Sequence, residues 1–181
     1  MNKLLSIAFA LILPLYAYAD NSVEEFHRLL VFNQQEELMV VKIKDTDFWV
    51  TPGLYSQDQE STNKALHKLA AEYNLKLNEL QLRGVFSLTN KQSQKTSNRY
   101  FYYAKTSDLN YKLPENIEKI EWLPINKAME LITFPHINIL LKQVIDYPDQ
   151  IWSADILRYK EGDKFKAKIT KEFSTKSKTI K

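Results

Sequence analysis

Between Trp49 and Leu75 the chain turns at Pro52-Gly53 and then runs into a segment in which Lys68, Ala71 and Glu72 share one helical face at i, i+3 and i+4. Opposite charges a turn apart have two uses. The Lys68 ammonium can hold an anionic ligand directly, or it can sit in a surface ion pair. A second cation, Arg99, precedes Tyr100, Phe101, Tyr102 and Tyr103. Rings beside a cation can stack a nucleobase, and the same alternation also suits a central strand with one face in the core and the other partly covered. Outside the helix, Glu60 stands just before its positive end, and Glu118 and Glu121 precede Trp122. His27, His67 and His136 show no H-x-x-x-H spacing, and the chain has no cysteine, so thiol catalysis and cysteine-based zinc sites are excluded. With only three glycines no phosphate-cradling P-loop can be built, and neither a serine triad nor a nucleic-acid-binding motif is present.

These residues need a scaffold, and the patterning supplies one. EEFHRLLVFN and LMVVKIK read as a strand hairpin around QQEE, and FWVT as a third strand that ends at the Pro-Gly. A helix is predicted from Asn63 to Tyr73. Ser61 or Thr62 caps its start, Ala65, Leu66, Leu69, Ala70 and Tyr73 form the apolar face, and Asn74 closes it in the left-handed conformation. LQLRGVFSLT, NRYFYYAKT and IEKIEWLPI read as strands, and NKAMELIT and HINILLKQVIDY as helices. ILRYKEGDKFKAKITKEF alternates on both sides of Gly162, which predicts a terminal β-hairpin.

The chain of 181 residues, 44% hydrophobic and 26% charged, has material for one buried core. Residues 1–19 differ in kind: Lys3, an apolar run from Leu4 to Tyr16, then Ala17-Tyr18-Ala19, the pattern of a signal peptide cut after Ala19. The expectation is a periplasmic or secreted protein without a membrane span after cleavage, with a domain over 20–150, a hairpin over 151–173 and a disordered basic tail over 174–181. From Gln150 onward there are nine Lys or Arg against four Asp or Glu, so positive charge gathers at the end.

The order of elements, with F-W-V-x-P-G at the mouth of the first long helix and the RGVFSL and I-E-W-L-P-I strands after it, resembles the Nudix hydrolases between Phe26 and Tyr147. The resemblance implies an α/β/α sandwich around a mixed sheet. It also implies Mg²⁺-dependent attack of water on a nucleoside diphosphate linked to another group. With Gly53 on the first glycine of the family signature G-x5-E-x7-R-E-U-x-E-E-x-G-U (U is bulky and apolar), Gln59 falls on the first glutamate, His67 and Lys68 on the Arg-Glu pair, Ala71 and Glu72 on the Glu-Glu pair, and Asn74 on the last glycine. A one-residue slip puts Glu60 on the first glutamate instead. The resemblance makes Glu72 the metal ligand and Glu60 and Glu121 the catalytic carboxylates; Gly53 at the turn joins Lys68 and Arg99, read from their charge, as ligand-binding residues. One carboxylate beside an ammonium holds Mg²⁺ weakly, with several kcal/mol lost. The expected protein therefore has a degenerate box and weak or no hydrolase activity, acts as a protein-interaction module or as a module that binds a nucleotide or another anionic small molecule, and needs no cofactor. The alternative is an active hydrolase using Mg²⁺.

Overall fold

A computed structural model describes residues 23–56, 60–108 and 110–176. The signal-like segment and residues 177–181 of the expected tail lie outside the described residues. Among the described residues nine strands form one mixed sheet: β1 (Glu24–Phe32), β2 (Leu38–Ile43), β3 (Trp49–Val50), β4 (Gly53–Tyr55), β5 (Asn78–Asn90), β6 (Thr96–Lys105), β7 (Ile117–Leu123), β8 (Ile151–Glu161) and β9 (Lys164–Lys176). The main path runs β3-β2-β1-β6-β5-β8-β9, with β4 paired to β1 and β7 to β2. The helices that cover it among the described residues are α1 (Thr62–Glu72), α2 (Ile125–Leu131) and α3 (Pro135–Asp146).

Both faces of the central strands are buried, which is why β1 reads as a nearly continuous apolar run. Leu30 and Phe32 point with Leu38, Val40, Phe86 and Phe101 toward α2 and α3, while Leu29 and Val31 point with Met39 and Val41 toward α1. From α1, Leu66, Leu69 and Ala70 are buried, and each leucine contributes roughly 1.5–3 kcal/mol relative to exposure. Its C-terminus closes with Asn74 at φ 60°, where the Leu75 and Asn74 amides donate to the Ala70 and Ala71 carbonyls. That is the paired bonding a left-handed residue permits after a helix. The helix starts one residue earlier than expected, and Ser61 precedes it without a side-chain capping bond.

Two other expectations change. Gly53 does not end the strand region but begins β4, and Arg28, His27 and Phe26 of β1 pair with Gly53, Leu54 and Tyr55. At Gly53 a Cβ would lie 2.5 Å from Phe26 Cε1 and 2.8 Å from the His27 carbonyl oxygen, so only glycine fits there. Residues 174–176, expected in a disordered tail, belong to β9, because Ser174, Thr175 and Lys176 pair with Ser153, Trp152 and Ile151. The terminal hairpin turns at Gly162, φ 57°, and widens the sheet through parallel pairing of β8 with β5.

Candidate functional site: an arginine-lined cleft

β1 and β2 meet only at the Phe32–Leu38 end and then splay, and the segment carrying β3 and β4 fills the fork by pairing with both. A cavity of about 330 Å³ opens there, bounded by Gly53, Glu72, Arg28, Arg99, His136 and Arg158 among others. Strand register delivers the three arginines. Parallel pairing sets Phe26 opposite Arg99 and Arg28 opposite Phe101, antiparallel pairing sets Phe86 opposite Arg99, and Asn90 stands opposite Arg158. Because side chains alternate in twos, all three lie on the face that α3 covers.

Arg28 and Arg99 are only 7% and 8% exposed. Arg28 Nη1 donates to the Thr51 carbonyl at 2.7 Å and to Thr51 Oγ1 at 3.1 Å. Both guanidinium carbons lie near the Phe26 ring, at 5.0 and 4.9 Å from its centroid, so one ring's negative face serves two cations. Among the described residues no carboxylate comes within ion-pairing distance of Arg28, Arg99 or Arg158, and the buried Arg99 Nε has no hydrogen-bond partner.

The electrostatics follow from that crowding. Burial, reinforced by Arg99, pushes Arg28 down to about 9, so it remains charged at neutral pH. Burial also lowers Arg99, with Tyr55 opposing. His136, 7% exposed in the first turn of α3, is held well below its usual range by burial and then by Arg28, Arg158 and Arg99, so it is neutral at pH 7. α3 begins after Phe134 without a capping side chain, which leaves the positive end of its dipole beside the same cavity. Among the described residues the cleft wall thus carries three guanidinium groups and a helix N-terminus against one carboxylate, Glu72, an excess of positive charge suited to an oxyanion.

Of the residues singled out in the sequence, Gly53, Glu72 and Arg99 line the cleft. Lys68 does not. Its Nζ meets Glu60 Oε1 at 2.6 Å, with Lys64 at 3.8 Å from the same oxygen, and the Lys68 bond lowers the Glu60 pKa. Glu121 lies on β7 and pairs with Lys119, and Glu118 pairs with Lys42. Glu60, Glu121 and Glu72 are therefore not gathered around one point. Among the described residues no three His, Asp or Glu side chains are grouped to hold a metal ion. Mg²⁺ requires several hard oxygen ligands, and Glu72 alone on the cleft wall beside arginines does not fit it.

Arg28, Arg158 and His136 were not picked out by sequence. Arg28 does leave a trace, as a charge inside the apolar run of β1, but its partners lie far along the chain.

No family model and no curated protein sequence matches the chain. Solved structures do. The mutator MutT protein from Bacillus halodurans superposes with a TM-score of 0.57 at 14% identity over 82% of this chain and 98% of that one. The chain has the Nudix fold. A Nudix hydrolase from Nitrosomonas europaea gives 0.59 at 14% identity, covering 76% of this chain and 80% of that one. The Nudix domain of Shewanella oneidensis NrtR, solved with ADP-ribose, gives 0.57 at 12% identity, covering 69% and 88%. At such identities the likeness establishes architecture and leaves chemistry to the site.

Proposed function

We propose that this Nudix-fold protein binds a phosphate-bearing, nucleotide-like small molecule in the arginine-lined cleft without a metal ion, and that it has weak or no hydrolase activity. One observation carries this: two almost fully buried arginines face a cavity, and among the described residues no carboxylate pairs with either. A metal-dependent site needs anions to hold its cation, and this cleft offers cations to hold an anion. The NrtR Nudix domain bound to ADP-ribose lends support, as a Nudix domain holding a diphosphate ligand. The N-terminal Lys3, Leu4–Tyr16 and Ala17-Tyr18-Ala19 pattern supports export to the periplasm or outside the cell, with cleavage after Ala19.

Calorimetry with inorganic pyrophosphate tests the reading, once in EDTA and once with Mg²⁺. Binding in EDTA that Mg²⁺ leaves unchanged or weakens is expected, because the cation competes with the arginines for the phosphates. Binding only with Mg²⁺, together with phosphate release from nucleoside diphosphate-linked compounds that is lost in Glu72→Gln, would mean an active hydrolase instead. N-terminal sequencing of the exported protein should begin at Asp20.

A further inference from the structure

The sheet ends on β9, and among the described residues that strand pairs only with β8. At the other end of the main path stands β3, two residues long. A very short edge strand offers little to a neighbour, whereas a long one leaves a row of N–H and C=O groups unpaired. In β9 that row is regular from Lys164 to Ile169, opposite Glu161 to Ile156, and it ends where the register shifts around Thr170. No turn or loop among the described residues bonds to the outer side of this stretch. Its side chains alternate. Lys164, Lys166 and Lys168 are exposed on one face, while Phe165, Ala167 and Ile169 are half-buried on the face toward α3. Lys166 and Lys168 stand opposite Tyr159 and Leu157, and Lys164 opposite Glu161. Among the described residues none of the three lysines forms an ion pair.

We infer that the outer edge of β9 over Lys164–Ile169 is a docking site for an extended segment of another protein in which carboxylates and apolar residues alternate. Added as a further strand, such a segment bonds the free N–H and C=O groups. Its carboxylates come opposite the lysines, and its apolar side chains prolong the row of Phe165, Ala167 and Ile169. Opposite charges facing each other across strands stabilise a sheet and like charges destabilise it. A second copy of this chain is therefore a poor occupant, because antiparallel pairing of two β9 strands in one sheet sets lysine against lysine. A bilayer surface or a nucleic acid answers the lysines alone and leaves the apolar row and the open edge unused. No described β9 residue lines the arginine cleft, so the two sites stand or fall separately.

Fluorescence anisotropy on the full chain, with a labelled short peptide of alternating glutamate and valine, tests the docking. That peptide is expected to bind about tenfold tighter than one of the same composition with its glutamates and valines in separate blocks. Lys166→Glu combined with Lys168→Glu should weaken it about tenfold, and a lysine-valine peptide should bind that variant better than it binds wild type. Both lysines are exposed, so the melting midpoint should stay near that of wild type. Two further glutamate-valine peptides carry N-methyl groups on alternate residues, in opposite phase. The one methylated on the side facing β9 should not bind, and the other should bind like the parent. No binding of the alternating peptide refutes the inference. Equal affinity for alternating and block peptides, or binding of both methylated forms, shows charge attraction without strand pairing and also refutes it. Tighter binding to oligothymidylate or to phosphatidylglycerol vesicles, or a dimer in sedimentation that the peptide dissociates, assigns the edge to another occupant and overturns this one.

Discussion

Replacing Arg28 by methionine removes a buried charge that the ligand-free protein holds at its own expense. The fall of Arg28 from its ordinary value to about 9 corresponds to roughly 5 kcal/mol against the charged form, taken as a ceiling. Methionine fills similar volume but leaves the Thr51 carbonyl and hydroxyl without their donor, a loss of about 1–3 kcal/mol for each group left unsatisfied. With about 2–6 kcal/mol lost at the two Thr51 groups against that ceiling, the balance centres on a gain of about 1 kcal/mol, the direction seen when buried charges elsewhere are exchanged for apolar groups. For a chain of this size that raises the melting midpoint by about 2–4 °C. The anion response should move the other way. At a hundredfold excess over Kd a ligand adds about 2.7 kcal/mol, about 5–11 °C for the wild type, and in Arg28→Met the rise should shrink below about 2 °C. Differential scanning calorimetry in phosphate-free and sulfate-free buffer, then with added pyrophosphate, reads both numbers. A variant that melts lower than wild type and still gains fully from pyrophosphate would refute the claim that this arginine is an unpaired anion receptor.

Three further outcomes follow. His136 and His27 are both lowered in the folded protein, mainly by burial. Their contribution is therefore present above pH 6.5 and lost as pH falls below it, where the unfolded chain takes up protons that the folded chain refuses. Melts from pH 8 to 5 should decline below 6.5, less steeply in His136→Gln, and sulfate, which does not titrate there, should bind more tightly as pH drops because it favours His136 protonation. Gly53→Ala drives a methyl group into Phe26 and the His27 carbonyl. Urea unfolding should register a loss of about 1–3 kcal/mol, and pyrophosphate affinity should weaken as the ring beside both arginines shifts. Asn74→Ala loses a tolerated left-handed residue and the 2.6 Å bond from Asn74 Nδ2 to the Asn110 carbonyl. Urea unfolding should show about 1–2 kcal/mol of destabilisation, with ligand affinity unchanged.

The periodicities of α1, α3 and the strands were readable because a side chain's face is fixed locally, by 3.6 residues per turn or by two per pleat. Asn74 as a helix stop and Gly162 as a hairpin turn were legible for the same reason: each is a backbone demand met within a few residues. β4 was not legible, since its pairing depends on a glycine passing close to a ring on β1, and neither was the end of β9, whose polar Ser174–Lys176 is ordered by strand pairing rather than by burial.

The sequence by itself determined the elements other than β4 and the end of β9, the absence of thiol chemistry, and the poverty of carboxylates on α1, where Lys68 and Ala71 share a face with a single Glu72. Only the tertiary structure decided where charge collects. Arg28, Arg99 and Arg158 stand on three strands that sequence cannot align, and parallel pairing of β1 with β6 and of β5 with β8 turns them to one face. It also spent Lys68 on Glu60, moving the candidate anion site from the helix to the sheet. Electrostatic function depends on distances through space and on burial, and both are set by strand register rather than by neighbours along the chain.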